Sequence, residues 1–314
     1  MMDARDVKRA AVIGAGIMGH SIAQVFAQAG IETSLVDLNE EALRAAADKI
    51  AYNLGVLADN GLVKNEDIGT IVGRVHPSTD LAGSTDEADF VVEAVPEVQE
   101  IKQEVFAQLG AACPAETVIA SNTSGLDIFE FAKIENPERL VTAHWFAPPH
   151  IIPLVEVAPG PDTTPEVVDF TVSLMERLGK VPVRLQAFTR AFIVNKIQNM
   201  IALAVSDLLN SGVATPEDID RAVKYSLGIR LPVVGVVQTM DFTGLDLALD
   251  IAKSYGLSSP ILEEKVEKGH LGAKTSRGFY DYGGRGELEI LEKRDNLYIK
   301  MLSYLESAGT FEPV

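Results

Sequence analysis

The sequence predicts an α/β fold: a doubly wound, mainly parallel sheet over the first part of the chain, followed by an all-helical second part. Three observations predict it. Short apolar runs alternate with helical patterns from Lys8 to Leu185, as strand–helix–strand units require. Beyond Leu185 no convincing strand follows until Gly278, while helix-period runs continue. The 314 residues, 47% hydrophobic and 23% charged, suit about two domains at roughly 150 residues each. The boundary is expected near Gln186 to Thr189, giving domains 1–186 and 187–314.

Lys8 to Ile13 reads as a strand apolar on both faces, feeding directly into Gly14-Ala15-Gly16-Ile17-Met18-Gly19. Ile17 to Ala29 then reads as a helix stopped by Gly30, and Glu32 to Val36 as a strand ending at Asp37. A bare G-x-G-x-x-G is weak, but strand, glycines, helix, strand and terminal acid in sequence are specific. The first glycine permits the tight turn, the second lets backbone approach a pyrophosphate, and the third lets helix pack on strand. The helix N-terminus turns free N–H groups toward the phosphates. Asp37 is placed to grip ribose hydroxyls, and no Arg or Lys follows within six residues to take a 2′-phosphate. The expected cofactor is therefore NAD rather than NADP, and the first domain is Rossmann-type.

Glu40 to Asn60 reads as a long helix stopped by Gly61, Lys64 to Val72 as a short one, and Val75-His76 as a short strand. Asp89 to Ala94 is a clear strand that delivers Glu93, Val95, Pro96 and Glu97 to its carboxyl end, where open α/β sheets bind ligands. A helix over Ile101 to Leu109 leads to a strand over Thr117 to Ala120, which ends in Ser121-Asn122-Thr123-Ser124-Gly125. That cluster suits either a turn or a ligand loop. Arg139 to His144 and Ile152 to Val157 are the next strands. Thr164-Pro165-Glu166 starts a helix running to Gly179, and Lys180 to Leu185 is a last strand. Helices are then expected over Ala191 to Asn210, Pro216 to Leu227, about Val233 to Met240, Leu245 to Tyr255, Ile261 to Lys268 and Glu287 to Ser307. Gly272 to Tyr282 is an irregular segment.

Val141 to Val157 (VTAHWFAPPHIIPLVEV) carries the most chemistry. Period-two alternation puts Leu154 and Glu156 on one strand face, Val155 and Val157 on the other. A lone carboxylate in so apolar a strand is costly unless a partner holds it, and the nearest candidate is His144. An imidazole oriented by a buried carboxylate is a general acid/base arrangement. On these residues alone, the simpler reading is that the two groups merely satisfy each other.

Composition narrows the function. A net charge of −18 disfavours nucleic acid and anionic membranes as partners, while a small anionic substrate needs only a local positive site. A single cysteine, Cys113, excludes an internal disulfide and fits a reducing, cytoplasmic setting. Met1 to Lys8 is too polar for a signal segment. The apolar run Ala191 to Leu209 is broken by Asn195, Lys196, Gln198 and Asp207, so it reads as a core or interface helix rather than a membrane span. Being apolar on more than one face, it should be wrapped by other helices or by a second subunit. No His/Cys/Asp grouping has metal-ligand spacing, so no metal is expected. No G-x-S-x-G surrounds Ser124, which is not read as a nucleophile. His20 borders the expected pyrophosphate, His150 suits a cleft wall as well as an ordinary loop, and His76 and His270 read as surface residues. Trp145 and Phe146 read as core or cleft wall.

With these residues laid out, the chain resembles the 3-hydroxyacyl-CoA dehydrogenase family over all but its C-terminal end. The landmarks are GAGIMG, Asp37, VVEAVPE, SNTS, H-x11-E, IVNK and AKTSRGFYDY, in the family's order. The resemblance implies an NAD-dependent enzyme of fatty acid metabolism that interconverts a 3-hydroxyacyl compound and its 3-oxo form by hydride transfer. It implies His144 as acid/base, Glu156 as its orienting carboxylate, and Ser124 and Asn195 as substrate-polarising groups. It places Glu97, Lys102, Asn122 and Lys274 on the nicotinamide half of NAD, and it implies a homodimer through the helical domain.

There are departures from the family pattern. Ala147 stands where an Asn is usual, Thr189-Arg190-Ala191-Phe192 where Pro-Gly-Phe is, and Gly235-Val236-Val237-Gln238 where Gly-Pro-Phe-Glu is. Asn53 and Asn60 occupy the positions of a Ser and a Lys that serve coenzyme A, and Lys49 is the only lysine of that helix. HWFAPPHIIPLVEV is similar to branches acting on small polar acids, such as carnitine, gulonate and pyridine-carboxylate dehydrogenases. There Arg190 is a candidate anchor for a substrate carboxylate, against the plainer reading of a solvated hinge residue. The alternatives are thus the same chemistry on a small non-CoA hydroxy acid, or a non-catalytic NAD-binding protein. A decarboxylating hydroxyacid dehydrogenase would need a catalytic lysine in the long helix. Lys196 lies beside Asn195, but that reading leaves His144 and Glu156 unexplained.

Overall fold

The alternating runs of the first domain become β1 (Arg9–Ile13), β2 (Glu32–Val36), β3 (Val75–Ser78), β4 (Phe90–Glu93), β5 (Val118–Ser121), β6 (Leu140–Trp145), β7 (Leu154–Pro159) and β8 (Val181–Arg184). In the computed structural model, which describes residues 3–312, they form one eight-stranded sheet in the order β3-β2-β1-β4-β5-β6-β7-β8. Neighbours are parallel except β6 and β7, which are antiparallel. Strand order reverses between β1 and β4, so the crevice at their carboxyl ends is the place where a fold of this kind takes its ligand.

The helices of this unit are α1 (Gly19–Gln28), α2 (Glu40–Asp59), α3 (Ile68–Gly73), α4 (Leu81–Thr85), α5 (Gln99–Ala112) and α6 (Pro165–Arg177). Alternate residues of β1 serve two separate cores, as the pleat dictates. Ala10 and Val12 pack with Ile22 and Phe26 of α1, Ile50 of α2 and Leu174 of α6. Ala11 and Ile13 pack with Phe106 and Leu109 of α5. The helix starts obey their capping residues: Asn39 accepts from Glu41 and Ala42 at α2, and Thr164 from Val167 at α6. The short α4 had no sequence expectation. Asp80 caps it, but five residues leave no periodicity to read.

α7 (Val194–Ser211) begins later than the expected Ala191, because Ala191 (φ 65°) and Phe192 (φ 48°) are left-handed. By contacts the chain divides into residues 1–200 and 201–314, so residues 187–200 belong to the same compact unit as the sheet. Phe192 packs on Ala158 and Leu185, and the amides of Ile193 and Val194 bond to Glu156.

The second unit holds α8 (Pro216–Lys224), α9 (Leu227–Thr243), α10 (Leu245–Ser254), α11 (Pro260–Glu267) and α12 (Glu287–Ser307). The helix expected to end at Leu227 is α8, which stops at Lys224, and the helix expected from Val233 begins at Leu227 as α9, which contains Pro232 and kinks at Gly235 (φ 68°). Asp241 of α9 is buried and accepts from the amides of Phe279 and Tyr280 at 2.8 and 3.0 Å and from the Tyr282 hydroxyl at 3.0 Å. That carboxylate is why RGFYDY is compact without being helix or strand. Among the described residues no helix is long and apolar enough to cross a membrane, and no group of three or more His, Cys, Asp or Glu side chains is placed to hold a metal.

Candidate active site

The glycine turn after β1 is built to bring a ligand onto backbone. Gly14 has φ +103°, and a Cβ there would sit 2.7 Å from the Ala94 carbonyl oxygen. A Cβ on Gly19 would lie 1.7 Å from the Gly14 oxygen, so α1 packs on the turn only without one. A Cβ on Gly16 meets nothing within 4 Å. The space beside Gly16 belongs to a cavity of about 680 Å³ that runs from Ile17 and Met18 past Asp37 and Leu38 to Val95 and Ile101. Asp37 Oδ2 accepts the Ala15 amide at 2.8 Å and Oδ1 the Asn39 amide at 2.9 Å, so the carboxylate is fixed at the rim. An apolar cleft, a backbone cradle at a helix start and an acid at the next strand end fit a dinucleotide.

At the carboxyl end of β6, the antiparallel register sets His144 directly opposite Glu156 of β7. His144 Nδ1 donates to Glu156 Oε2 at 2.9 Å, and the two side chains are 6% and 1% exposed. Glu156 Oε1 accepts the amides of Ile193 and Val194, both at 3.0 Å, so the start of α7 lays two N–H groups on a buried carboxylate. An ionised carboxylate only accepts, which assigns the proton to Nδ1 and leaves Nε2 as an acceptor. Phe192 stacks on the imidazole at 4.8 Å between centroids, and Phe146 lies at 4.5 Å, holding the ring plane.

Ser124 follows β5 in a loop gathered by Glu97. Glu97 Oε1 accepts from the Thr123 hydroxyl (2.6 Å), the Ser124, Gly125 and Leu126 amides (2.9, 3.0 and 3.3 Å) and the Ser124 hydroxyl (3.3 Å). Burial by itself would raise the Glu97 pKa. The Thr123 hydroxyl, the Lys102 ammonium and the loop amides outweigh it and hold the carboxyl below the usual range. Asn195, in the first turn of α7, donates to the Ser124 carbonyl at 3.3 Å. Asn122 Oδ1 accepts the Trp145 amide at 2.8 Å, tying this loop to the strand that carries His144. His144, Glu156, Ser124, Asn195, Asn122 and Glu97 are therefore neighbours by hydrogen bonding.

The other expected site residues are placed differently. Lys102 is buried, with its ammonium 2.7 Å from Glu93 and 3.3 Å from Glu97. Lys274 lies in the second unit and pairs with Asp246 at 2.5 Å. Arg190 is exposed and sits 3.6 Å from Glu130. His20 is buried with Nδ1 2.7 Å from the Gly16 oxygen. Burial lowers its pKa, the Gly16 bond partly offsets this, and nearby Lys49 adds to the lowering. His150 Nδ1 meets the Ser21 hydroxyl at 2.7 Å. The Ile193 and Val194 amides escaped sequence reasoning, because they have no residue signature at all. Glu93 was expected at the ligand end of its strand but given no role, although it showed the signal that exposed Glu156: a charge inside an apolar strand.

Fold and site together define a nicotinamide-dependent oxidoreductase with a Rossmann-type first domain. Residues 9–188 match the family model described as 3-hydroxyacyl-CoA dehydrogenase, NAD binding domain, and residues 192–282 match that of the 3-hydroxyacyl-CoA dehydrogenase C-terminal domain. A probable 3-hydroxybutyryl-CoA dehydrogenase of Bacillus subtilis is 35% identical over 286 residues, 88% of this chain and 98% of that protein. A 5-formyl-3-hydroxy-2-methylpyridine 4-carboxylate 5-dehydrogenase of Mesorhizobium japonicum is 30% identical over 284 residues, 88% of this chain and 91% of that one. The crystal structure of a 3-hydroxyacyl-CoA dehydrogenase from Archaeoglobus fulgidus superimposes with a TM-score of 0.79 at 29% identity, covering 95% of this chain and 99% of that one. This chain belongs to the 3-hydroxyacyl-CoA dehydrogenase family, and its cofactor is NAD.

Proposed function

We propose that the protein interconverts a 3-hydroxyacyl-CoA, of the 3-hydroxybutyryl-CoA type, and its 3-oxo form, with His144 as acid/base. One observation carries this reading: Glu156, itself held by two amides at the start of α7, engages His144 at Nδ1, which leaves Nε2 to face a substrate. Bound NAD supplies the hydride acceptor or donor. In oxidation His144 Nε2 takes the hydroxyl proton and Glu156 stabilises the imidazolium formed; in reduction His144 returns it. Ser124 holds the reacting oxygen and Asn195 the neighbouring carbonyl. Gly14, Gly16, Ile17, Met18, Gly19 and Asp37 cradle the adenosine and pyrophosphate half. Glu97, Asn122 and Lys274 serve the nicotinamide half, with Lys102 acting through Glu97.

A second reading, the same chemistry on a small hydroxy acid, has its own support. Asn53 donates to Gln24 at 3.1 Å and Asn60 to the Val56 oxygen at 2.8 Å, so neither offers a coenzyme A phosphate a cation. Arg190 is then the anchor for the substrate carboxylate. The test follows NADH absorbance with acetoacetyl-CoA beside free 3-oxo acids. Turnover of the thioester supports the first reading, turnover confined to free acids the second. Silence with both, despite tight NADH binding, leaves a non-catalytic NAD protein.

The proposal includes a cytoplasmic homodimer, with residues 187–314 as the substrate and dimerisation domain. α7 has no buried residue although Ile197, Met200, Ile201, Leu203 and Leu208 are exposed on it. An apolar surface of that kind suits a second copy of the chain.

A further inference from the structure

Glu93, the last residue of β4, is fully buried in a position that the acid/base chemistry does not use. Each of its oxygens is engaged. Oε1 accepts the Lys102 ammonium at 2.7 Å and the Val95 amide at 2.9 Å, and Oε2 accepts the Ser121 hydroxyl at 2.6 Å. Lys102, 1% exposed, also reaches Glu97 at 3.3 Å and the Val95 carbonyl at 3.4 Å. One ammonium is thus shared unequally between two carboxylates. The triad carries one net negative charge, and that charge is spent on the loop bearing Ser124. Glu93 binds its first residue, Ser121, whose hydroxyl accepts the Thr123 amide at 3.2 Å. Glu97 binds the rest.

We infer that Glu93 is a positioning residue for Ser124: by keeping the Lys102 ammonium mainly on itself, it leaves Glu97 Oε1 free to gather the Thr123 to Leu126 donors. Without the Glu93 charge, Glu97 is the one carboxylate left within reach of the buried Lys102 ammonium, which closes on it. That closure draws Glu97 off the loop amides, and Ser124 loses its fixed place beside the reacting oxygen. A misplacement on the order of 1 Å is enough to cost about 100-fold in rate. The inference rests on the proposed role of Ser124.

The test compares wild type, Glu93→Gln and the double variant Glu93→Gln/Lys102→Met, each as the full chain. It measures thermal stability, NADH affinity by fluorescence, and kcat and KM for whichever 3-oxo substrate the wild type reduces. Glu93→Gln is expected to lower kcat about 10- to 100-fold with NADH affinity within about threefold of wild type. The double variant removes the unpaired buried ammonium, so it should recover stability, and because nothing then draws Glu97 off the loop amides, kcat should rise about 10-fold above that of Glu93→Gln. A double variant that recovers stability while its kcat stays no higher than that of Glu93→Gln shows that Lys102 does not displace Glu97 and overturns the inference. So does a folded Glu93→Gln variant with unchanged kcat. If the wild type reduces no 3-oxo substrate, the functional reading itself fails, and that outcome is distinct from both.

Discussion

Replacing Glu156 with Gln preserves shape and removes one charge, and the structure dictates what must follow. The carboxylate accepts on both sides: from His144 Nδ1 on Oε2 and from the Ile193 and Val194 amides on Oε1. An amide has one accepting and one donating end. If its oxygen stays on the two backbone N–H groups, its NH₂ faces Nδ1. The imidazole must then move its proton to Nε2, the atom that has to receive the substrate proton. If the amide flips, its NH₂ faces two buried donors that are left without an acceptor, each costing roughly 1–3 kcal/mol. The first arrangement therefore wins, and the loss is catalytic. Losing the carboxylate that stabilises the imidazolium as it forms, together with the wrong tautomer, should lower kcat roughly 10²–10⁴-fold. The assay is steady-state NADH oxidation with a 3-oxo substrate, alongside NADH binding and a melting curve. NADH affinity should hold, and His144→Ala, which should also lose turnover and keep NADH binding, is the control. A folded Glu156→Gln enzyme with kcat within about threefold of wild type would refute the acid/base assignment.

Two further outcomes are expected. Gly16→Ala should leave the melting temperature unchanged, because the added carbon meets no protein atom, yet weaken NADH binding by about 10-fold or more. Gly19→Ala, whose carbon would collide with the Gly14 oxygen, should instead lose about 1–3 kcal/mol of stability; unchanged NADH binding in Gly16→Ala would contradict the role given to Gly16, and an unchanged melting curve in Gly19→Ala the packing given to Gly19. Burial lowers the pKa of Lys180 to about 8, so between about pH 8 and pH 10.5 the unfolded chain holds a proton that the folded one has released, and stability from this group rises with pH. The shift sets a ceiling of about 3 kcal/mol. Partial water access reduces it to roughly 1 kcal/mol, read as a growing urea-midpoint advantage of wild type over Lys180→Met from pH 7 to pH 10.

The first domain was legible because its signals are local. Strand, glycines, helix and acid lie in one short stretch, and each element has a period, a cap or a glycine stop. The His144–Glu156 pair was legible for a different reason: a carboxylate in an apolar strand demands a partner, and β6 and β7 are joined by a short connection that leaves few choices. Lys102 was harder. It is placed on the nicotinamide half by resemblance alone, and only the fold reveals Glu93 and Glu97 on either side of its ammonium. The start of α7 was misplaced because nothing in Thr189-Arg190-Ala191-Phe192 announces left-handed backbone at two non-glycine residues. Such conformations are rare for Ala and Phe and are imposed here by surrounding packing.

That strained turn and the chemistry of Glu156 share a physical cause. The Ile193 and Val194 amides reach Glu156 where the chain enters α7. The left-handed pair Ala191 and Phe192 supplies that entry while seating the Phe192 ring on His144. Strain of this kind costs on the order of 1–3 kcal/mol per residue and persists only where its surroundings enforce it. Here the enforcing contacts are the two bonds to Glu156 and the burial of Phe192. The same few residues bring Asn195 onto the Ser124 carbonyl. The acid/base pair and the groups proposed to hold the substrate are thus referenced to one helix start by backbone amides, which have no side-chain rotamers to order. The contact boundary falls inside α7, after residue 200, so the segment that completes this set of hydrogen bonds belongs to the same compact unit as the sheet that carries His144.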